Sequence, residues 1–467
     1  MSNLYSIEEL EDWDKRIQEK AREFGLDCYS QQFEICDHNQ MLSSMAYAGV
    51  PSHYPHWSYG KSYEKQKTLY DYGVSGLPYE MVINSNPALA YLMRDNSLLL
   101  QILTIAHVYG HNDFFKNNLT FKTTRAEYTI DTFKTHGNRI RRYIEDPSIG
   151  LENVERLLDA AHAISLQCRR NLAIRKRTSE EERTVLVESA IPPSDPFRSI
   201  HRHKSSPLPN LNKVPPVPDE DLLLFIRDNK RYLTSWEKDA LTIVHEEAQY
   251  FIPQIETKIM NEGWATYWHK RILDSLELPE ALLIEFIVRH NQVVRPFEMS
   301  LNPYHIGLAI WQDIHRRNSD GDDSAADQEL FKVRETDRDS SFIRRHLTEQ
   351  LTRELNLFEY EAKGDQKVVR NVADETGWTQ VKETLLKSVG MNSVPVIKVE
   401  DADFGHRHTL YLVHYHDGRD LQLEYAEKTL AYLYQLWNGE VVLETVLDGK
   451  SYMLIYNDGG LSTKALQ

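Results

Sequence analysis

Residues 103–111 read Leu-Thr-Ile-Ala-His-Val-Tyr-Gly-His, and this apolar stretch carries two histidines four positions apart. A helix turns by about 100° per residue, so His107 and His111 would project from one face with roughly 6 Å between their Cβ atoms. That spacing suits two imidazoles that bind one metal ion. A structural role also fits, because a buried imidazole can hydrogen-bond to backbone carbonyls. The stretch therefore predicts a buried helix that could present a pair of metal ligands.

Two further stretches supply what the first one lacks. In the His-Glu-x-x-His motif of zincin enzymes a glutamate follows the first histidine, whereas Val108 occupies that position here. Residues 241–249 repeat the pattern as Leu-Thr-Ile-Val-His-Glu-Glu-Ala-Gln, with Glu246 after the histidine. Downstream, Asn261-Glu262-Gly263-Trp264-Ala265 resembles the Asn-Glu-Gly-aromatic-Ala segment of gluzincin aminopeptidases, whose glutamate is a zinc ligand. The two half-motifs together contain the parts of one site.

These stretches predict a ligand set and a proton acceptor. We expect a divalent metal, most simply zinc, on His107, His111 and one downstream residue, with Glu262 as the first choice and His245 as the second. A hydrolytic site also needs a base, because the attacking water must lose a proton. Glu246 is the best candidate for that base, and Glu34 is the reserve.

Other polar residues could serve the same site. Tyr109 or Tyr267 could polarise a scissile carbonyl by donating a hydrogen bond, and Tyr267 could also contact substrate. Asn112 and Asp113 directly follow the histidine pair. Either of them could hydrogen-bond a ligand imidazole and so fix its orientation.

Residues 51–61, Pro-Ser-His-Tyr-Pro-His-Trp-Ser-Tyr-Gly-Lys, combine helix breakers with aromatic and imidazole rings. The prolines and the glycine predict a loop. Its rings would either contact a ligand, with His53, His56 and Trp57 lining a sugar- or peptide-binding cleft, or fill a rigid plug by stacking.

Charge and composition limit the classes of partner. The chain has 467 residues and a formal net charge of −16, which disfavours nucleic acid and anionic membrane as partners. We expect no signal peptide and no transmembrane segment, because no apolar run approaches the about 20 residues that a span requires. Three cysteines without a Cys-x-x-Cys spacing suggest reduced thiols and a cytoplasmic location.

Periodicity predicts an α+β protein, with a mostly helical, zincin-like N-terminal and middle part and a smaller α+β C-terminal domain. The predicted segments are an N-terminal helical part with the histidine-rich loop and histidine helix at 1–177, a proline-rich linker or wrapping loop at 178–235, a helical continuation of the same core at 236–347, and a small α+β domain at 348–467. Within them we expect helices at 6–24 and from about 95–97 to 116, and a strand at 80–84.

From about residue 350 the pattern changes to strands that alternate with two helices. Strands are expected near 357–361, 367–372, 394–400, 408–415, 440–446 and 451–456, and helices at 379–388 and 424–437. His406, His408, His414 and His416 lie there, and their spacing indicates strand-face or loop positions, not metal ligands.

Five stretches resemble the stage V sporulation protein R (SpoVR) family, and the similarity runs over most of the chain. They are Phe33-Glu-Ile-Cys-Asp-His-Asn-Gln-Met41, Pro51-Ser-His-Tyr-Pro-His-Trp-Ser58, Glu80-Met-Val-Ile-Asn-Ser-Asn-Pro87, Ala106-His-Val-Tyr-Gly-His-Asn-Asp-Phe114 and Asn261-Glu-Gly-Trp-Ala-Thr-Tyr-Trp-His269. The resemblance implies a cytoplasmic bacterial protein linked, in endospore formers, to assembly of the spore cortex, a peptidoglycan layer. It also implies association with a PrkA-type serine kinase and a YhbH/YeaH-type protein in other bacteria. It does not name a reaction.

Two functions are therefore open. One is a metal-dependent amide hydrolase that acts on a peptide or a cell-wall precursor. The other is a non-catalytic zincin-like scaffold or regulatory protein that binds partners such as the kinase system, and Val108 favours this second reading. A phosphatase is disfavoured, because the sequence near the histidines has no paired aspartate motif, glycine-rich phosphate loop or arginine cluster.

Overall fold

The computed structural model describes residues 5–72, 80–170, 175–190, 209–297, 300–319, 321, 323–363 and 366–466. The chain forms two compact units, each built from two separate segments. The first unit comprises Met1–Arg142 and Gln249–Ser393, and the second comprises Tyr143–Ala248 and Val394–Gln467. The predicted domains are continuous stretches, so their boundaries cut across these units.

The N-terminal part contains seven helices and three strands among the described residues up to 190. They are α1 (Ile7–Glu23), β1 (Gln31–Cys36), α2 (His38–Ala46), α3 (Trp57–Asp71), β2 (Glu80–Ile83), β3 (Ala88–Met93), α4 (Leu98–Asn117), α5 (Thr129–Glu145), α6 (Gly150–Ala163) and α7 (Ser179–Ala190). The strands form a sheet of order β1-β3-β2, in which β1 runs parallel and β2 antiparallel to β3.

The middle of the chain is helical, as predicted. It contains α8 (Leu222–Asn229), α9 (Ser235–Glu256), α10 (Lys258–Ser275), α11 (Glu280–Val294), α12 (Pro303–Asn318), α13 (Asp323–Thr336), α14 (Asp339–His346) and α15 (Glu349–Glu354). Helix α10 packs against both α4 and α12, and the core around it contains the fully buried tryptophans Trp264, Trp268 and Trp311. This core lies in the first unit.

The C-terminal part alternates strands and helices, which confirms the predicted α+β pattern. It contains β4 (Phe358–Lys363), β5 (Gln366–Val372), α16 (Trp378–Ser388), β6 (Ile397–Phe404), β7 (Thr409–His414), α17 (Leu423–Trp437), β8 (Val441–Leu447), β9 (Lys450–Asn457) and β10 (Gly460–Ala465). Strands β10-β9-β8-β7-β6 form one sheet in the second unit, and β4 and β5 form a separate hairpin in the first.

Helix α4 confirms the buried helix predicted from residues 103–111. The side chain of Ser97 accepts a hydrogen bond from the Leu100 amide and so caps the helix, and the apolar run that follows is buried almost throughout. Residues on every side of the helix are buried from Leu99 to Phe115, as expected for an element surrounded by protein.

Two sequence predictions were wrong. Residues 51–61 are not all loop, because α3 begins at Trp57, where the His56 side chain caps the helix by accepting from the Ser58 amide. The segment 178–235 contains α7 and α8. Glutamates in the first turn of α7 favour a helix start, and the prolines begin only after it ends. His201 and His203, within the predicted linker, lie outside the described residues.

Candidate metal centre

His107, His111 and Glu262 form one buried cluster in the first unit. Helix α4 presents the two imidazoles, and α10 presents the carboxylate. Glu262 Oε2 lies 3.5 Å from His111 Nε2 and 3.8 Å from His107 Nε2. The two rings stand nearly perpendicular, with their centroids 4.6 Å apart. The structure thus brings together three of the four predicted metal ligands.

Glycines in both motifs allow the helices to approach this closely. A Cβ atom at Gly110 would lie 2.6 Å from the Ala265 Cα atom, so α4 and α10 touch backbone to backbone at this point. Gly263 meets Gly307 of α12 in the same way. Gly110 therefore sets the distance between the histidine pair and Glu262, and Gly263 sets the approach of α12 to α10.

Hydrogen bonds on the far side of each imidazole fix its tautomer. His111 Nδ1 lies 2.9 Å from Asn261 Oδ1, which can only accept. His107 Nδ1 lies 2.9 Å from His269 Nδ1, and the His107 ring lies near the Ala265 backbone. The hydrogen of neutral His111 is therefore on Nδ1, and the contact of His107 with His269 is satisfied when the His107 hydrogen is on Nδ1 as well. Both Nε2 lone pairs face Glu262, and the His107 Nε2 atom has no hydrogen-bond partner among the described residues.

The contact between His107 and His269 continues outward through a third imidazole. His269 Nε2 lies 2.9 Å from Nδ1 of His290 on α11. If His107 donates from Nδ1, His269 accepts at Nδ1 and donates from Nε2 to His290. This choice of tautomers satisfies both hydrogen bonds between the three rings. This chain holds the His107 ring in one orientation.

Glu80 and Tyr304 complete the surroundings of the cluster. Glu80 is the first residue of β2, and its Oε1 atom lies 3.9 Å from His107 Nε2. Tyr304, in the first turn of α12, lies beside Glu262, whose negative charge raises the pKa of the Tyr304 hydroxyl, and its ring centroid lies 6.1 Å from that of His107. The side chains of Glu80 and Glu262 remain 17% and 21% exposed, so the carboxylate side of the cluster is the side that water can reach.

Burial and mutual charge perturb every group in the cluster. Burial lowers the pKa of His107 to about 4 and raises the pKa of Glu80 to about 7. Burial alone would raise the pKa of Glu262, but the two histidines hold it far below its ordinary value. Burial alone would lower the pKa of His111, but Glu262 raises it above its ordinary value. Two carboxylates beside two imidazoles thus make a site that favours a positive charge.

The donor set fits a divalent metal ion. Two ligands of a tetrahedral zinc ion, each about 2.1 Å from the metal, lie about 3.4 Å from one another. The two Nε2–Oε2 distances here are 3.5 and 3.8 Å. Two nitrogens and one oxygen, with the far side of each ring hydrogen-bonded, match the arrangement by which proteins orient metal-binding histidines.

The two predicted tyrosines lie elsewhere in the first unit. Tyr109 is buried and donates a hydrogen bond to Asp14 of α1. Tyr267 packs against Trp268 and receives a hydrogen bond from Arg271. Tyr109 thus links α4 to α1, and Tyr267 contacts residues of its own helix, α10.

Asn112 and Asp113 also make structural contacts. Asn112 accepts from the backbone of Tyr29 and donates to Gln31, which anchors the segment leading into β1. Asp113 accepts from Trp264 Nε1 and from the Asp27 amide. The sequence suggested that Asn112 or Asp113 would contact a ligand imidazole. In the structure Asn261 contacts His111 and His269 contacts His107 instead.

His245, the alternative ligand, and Glu246, the predicted base, lie in the second unit, while the cluster lies in the first. His245 Nε2 lies 2.9 Å from Oδ2 of Asp221, and the Oδ1 atom of the same carboxylate caps α8 by accepting from the Leu224 amide. Glu34, the reserve base, is an exposed residue of β1.

The histidine-rich stretch forms an aromatic cluster around His53 in the first unit. The buried His53 ring stacks on Tyr47, and its Nε2 atom lies 3.1 Å from the Tyr59 hydroxyl. His56 caps α3, and Trp57 is half exposed. The sequence allowed either a ligand-contacting loop or a rigid segment filled by stacked rings. The contacts around His53 are of the second kind.

Sequence reasoning missed Glu80, Tyr304, His269 and His290 as neighbours of the cluster. Two of them had a signal, because Glu80 opens the quoted stretch Glu-Met-Val-Ile-Asn and His269 closes the quoted stretch that begins at Asn261. Tyr304 and His290 lie on other helices, outside the quoted stretches.

The fold and the cluster define an α+β protein with a buried centre of two histidines and one carboxylate between packed helices. Comparison with known families adds a specific assignment. The model described as SpoVR like protein matches residues 5–394, and that of the SpoVR-like C-terminal domain matches residues 395–448. The chain therefore belongs to the SpoVR family, which confirms the resemblance seen in the sequence.

One relative is a protein of Escherichia coli (strain K12) described as uncharacterized protein YcgB. It is 31% identical over 471 residues, covering 92% of this chain and 90% of the relative. No solved structure matches the chain. Within the part of the chain that the structure describes, no helix combines the length and the apolar character needed to cross a membrane.

Proposed function

We propose that His107, His111 and Glu262 bind one divalent metal ion, zinc by the chemistry of the donors, and that the protein is a zincin-like metal-dependent amide hydrolase. The observation that supports this most strongly is the convergence of two imidazole Nε2 atoms on one partly buried carboxylate. The hydrogen bonds at both Nδ1 atoms orient those Nε2 atoms in advance.

When bound, such an ion supplies Lewis-acid activation of water and of a scissile carbonyl group. Glu80 has the position of a proton acceptor, because its carboxylate borders the histidine pair and remains partly exposed. Glu80 thereby takes the role of proton acceptor, which the glutamate of the His-Glu-x-x-His motif fills in zincins and which Val108 on α4 cannot fill. The Tyr304 hydroxyl, beside Glu262, is placed to donate a hydrogen bond to negative charge that develops on a substrate oxygen.

The link of the family to the spore cortex, a peptidoglycan layer, supports one class of substrate. We propose a peptide or a peptidoglycan precursor, and in endospore formers a role in building the spore cortex. A reducing, cytoplasmic location is consistent with Cys28, Cys36 and Cys168 being free thiols, two of them buried.

The metal site is tested by elemental analysis of purified protein. We expect about one equivalent of zinc in the wild type. His107→Ala, His111→Ala and Glu262→Ala should each lose it. His245→Ala is the matched control, because that histidine lies in the second unit, and it should keep its metal. Protein that contains no stoichiometric metal, and takes none up when zinc is added, would rule out the metallohydrolase.

Hydrolysis is tested with Glu80→Gln, which preserves the shape of the side chain and removes the proton acceptor. Metal content should stay at the wild-type level. Release of new amino groups from peptide mixtures and from peptidoglycan precursors should fall by about 100-fold or more. A Glu80→Gln protein that retains both metal and full turnover would refute the assigned base.

The second candidate is a non-catalytic scaffold that binds a PrkA-type kinase and a YhbH/YeaH-type protein. Val108, in the position of the usual glutamate, favours it. The two proposals differ in the effect of Glu80→Gln in a strain that lacks the gene. A scaffold predicts full complementation by this variant, and a hydrolase predicts loss of function with metal retained.

A further inference from the structure

A basic cavity lies within the second unit, away from the residues assigned above. It is about 370 Å³ in volume and is lined by the stretch after α6, the start of α7, residues 215–220 and the beginning of β6. Pockets of about 300–1,000 Å³ are the size that holds small organic ligands. The cavity is therefore large enough for a molecule the size of a mononucleotide.

Its lining has more positive than negative side chains in a chain of net charge −16. The basic residues are Arg169, Arg175, Lys176, Arg177 and Lys398, and the acidic ones are Glu182, Asp219 and Glu220. With five basic and three acidic side chains, the lining has a net positive charge, whereas the chain as a whole has a net negative charge. Such a cavity attracts anions, which the rest of the surface repels.

Three of these cations are already paired. Arg175 contacts Glu181, Lys176 contacts Asp219, and Arg177 contacts Glu182, at 2.7, 2.5 and 3.7 Å. These pairs fix the edge of the cavity and partly neutralise it.

Arg169 and Lys398 are different, because the described part of the chain offers neither of them a carboxylate within ion-pair distance. Both are partly buried. The Lys398 ammonium lies 4.8 Å from the centroid of the Tyr415 ring. An arginine fork and a lysine together are a common arrangement for binding phosphate.

Another part of the cavity lining is apolar and conformationally restricted. Residues 215–218 read Pro-Pro-Val-Pro, and they line the cavity together with the basic residues. Proline fixes its own backbone angle, so this wall needs little ordering when a ligand packs on it. A flat ring could rest on it while an attached phosphate meets the cations.

We propose that this cavity binds a small organic phosphate of about nucleotide size, with Arg169 and Lys398 as the residues that contact its phosphate groups. The site is independent of the proposed hydrolase, because it shares no residue with the cluster of His107, His111 and Glu262.

Isothermal titration calorimetry of the full chain at low salt, without added divalent metal, tests the proposal. The probes are ADP and inorganic pyrophosphate. We expect saturable binding of ADP at one site per chain, weaker binding of pyrophosphate, and an affinity that falls as salt is raised. The double variant Arg169→Gln/Lys398→Gln should bind ADP about tenfold or more weakly.

Three further variants sharpen the result. Lys428→Gln removes an exposed charge from α17 in the same unit and should bind as the wild type does. Arg169→Lys keeps the charge and should retain most of the affinity. Glu262→Gln should leave binding unchanged, which separates this cavity from the metal centre.

The proposal is overturned if neither probe saturates at millimolar concentration. It is equally overturned if the double variant binds ADP as the wild type does, if Glu262→Gln abolishes binding, or if only long polyanions such as RNA bind.

Discussion

Replacing Gly110 with alanine tests whether the glycine between the two histidines sets the geometry of the metal centre. The added methyl carbon would lie 2.6 Å from the Ala265 Cα atom and 3.1 Å from its Cβ atom. The first of these contacts is with backbone, which cannot rotate out of the way. Helices α4 and α10 must therefore separate for the substitution to fit.

The size of that separation follows from the contact distance. Carbon atoms pack at about 3.5–4.0 Å, so the helices must move apart by about 1 Å. The gaps from Glu262 to the two imidazoles, now 3.5 and 3.8 Å, would widen accordingly. They would then exceed the roughly 3.4 Å that separates two ligands of a tetrahedral zinc ion. We expect a loss of about 1–3 kcal/mol in the free energy of unfolding, and zinc affinity about tenfold or more weaker.

Chemical denaturation of metal-free protein measures the first quantity, and competition with a chelator measures the second. Gly60→Ala is the matched control, because Gly60 also lies inside a helix but nothing lies within 4 Å of the added carbon. That variant should be unchanged or stabilised by up to about 1 kcal/mol. If Gly110→Ala equals Gly60→Ala in both stability and zinc affinity, the spacing argument is wrong.

Three other predictions concern the surroundings of the centre. His269→Phe removes the partner of His107 Nδ1 and should weaken zinc binding by about 10–100-fold in a chelator competition. Asp339→Ala removes the acceptor for two backbone amides at the start of α10 and should lower the free energy of unfolding by about 1–3 kcal/mol, measured with denaturant. Burial lowers the pKa of His290 to about 4 from 6.5, so between these pH values the unfolded chain binds a proton that the native protein does not. Metal-free wild type should therefore lose stability relative to His290→Asn as the pH falls through this window, by up to about 1 kcal/mol per pH unit in denaturation at several pH values.

Each of these has an outcome that contradicts it. Unchanged zinc affinity in His269→Phe would mean that the Ala265 backbone alone orients His107. Asp374→Ala is the control for Asp339, because this exposed carboxylate also accepts backbone amides near the start of a helix. Equal losses in the two variants would show that burial of Asp339 adds nothing. A difference between wild type and His290→Asn that does not change with pH would show that His290 does not titrate differently in the native state.

Local patterns predicted the elements that carry the site. The cap at Ser97 and the apolar run after it defined α4, and period-two alternation defined most strands after residue 350. The Asn-Glu-Gly-Trp-Ala stretch named Glu262 through its likeness to another family. In each case a few neighbouring residues contained enough information.

The parts that sequence reasoning missed depend on tertiary packing. Glu80 sits on a four-residue strand, and only the packing of that strand beside α4 brings its carboxylate to His107. His290 reaches the cluster through His269, across two helices. Glu246 looked suitable because it follows a histidine, but the chain places that part of α9 in another unit. Adjacency in sequence is a poor guide where units are assembled from separated segments.

The division of the first unit into two segments also sets an order in time. His111 and its partner Asn261 are 150 residues apart, and ribosomes add about 5–20 residues per second. The histidine helix therefore emerges roughly 8–30 s before the helix that completes its ligand set. During that interval α4, with its apolar side chains and two imidazoles, lacks α10, the helix against which it packs. A nascent chain of this kind is exposed to aggregation and to capture of the wrong metal, so this protein should depend on chaperones during synthesis more than its final fold would suggest.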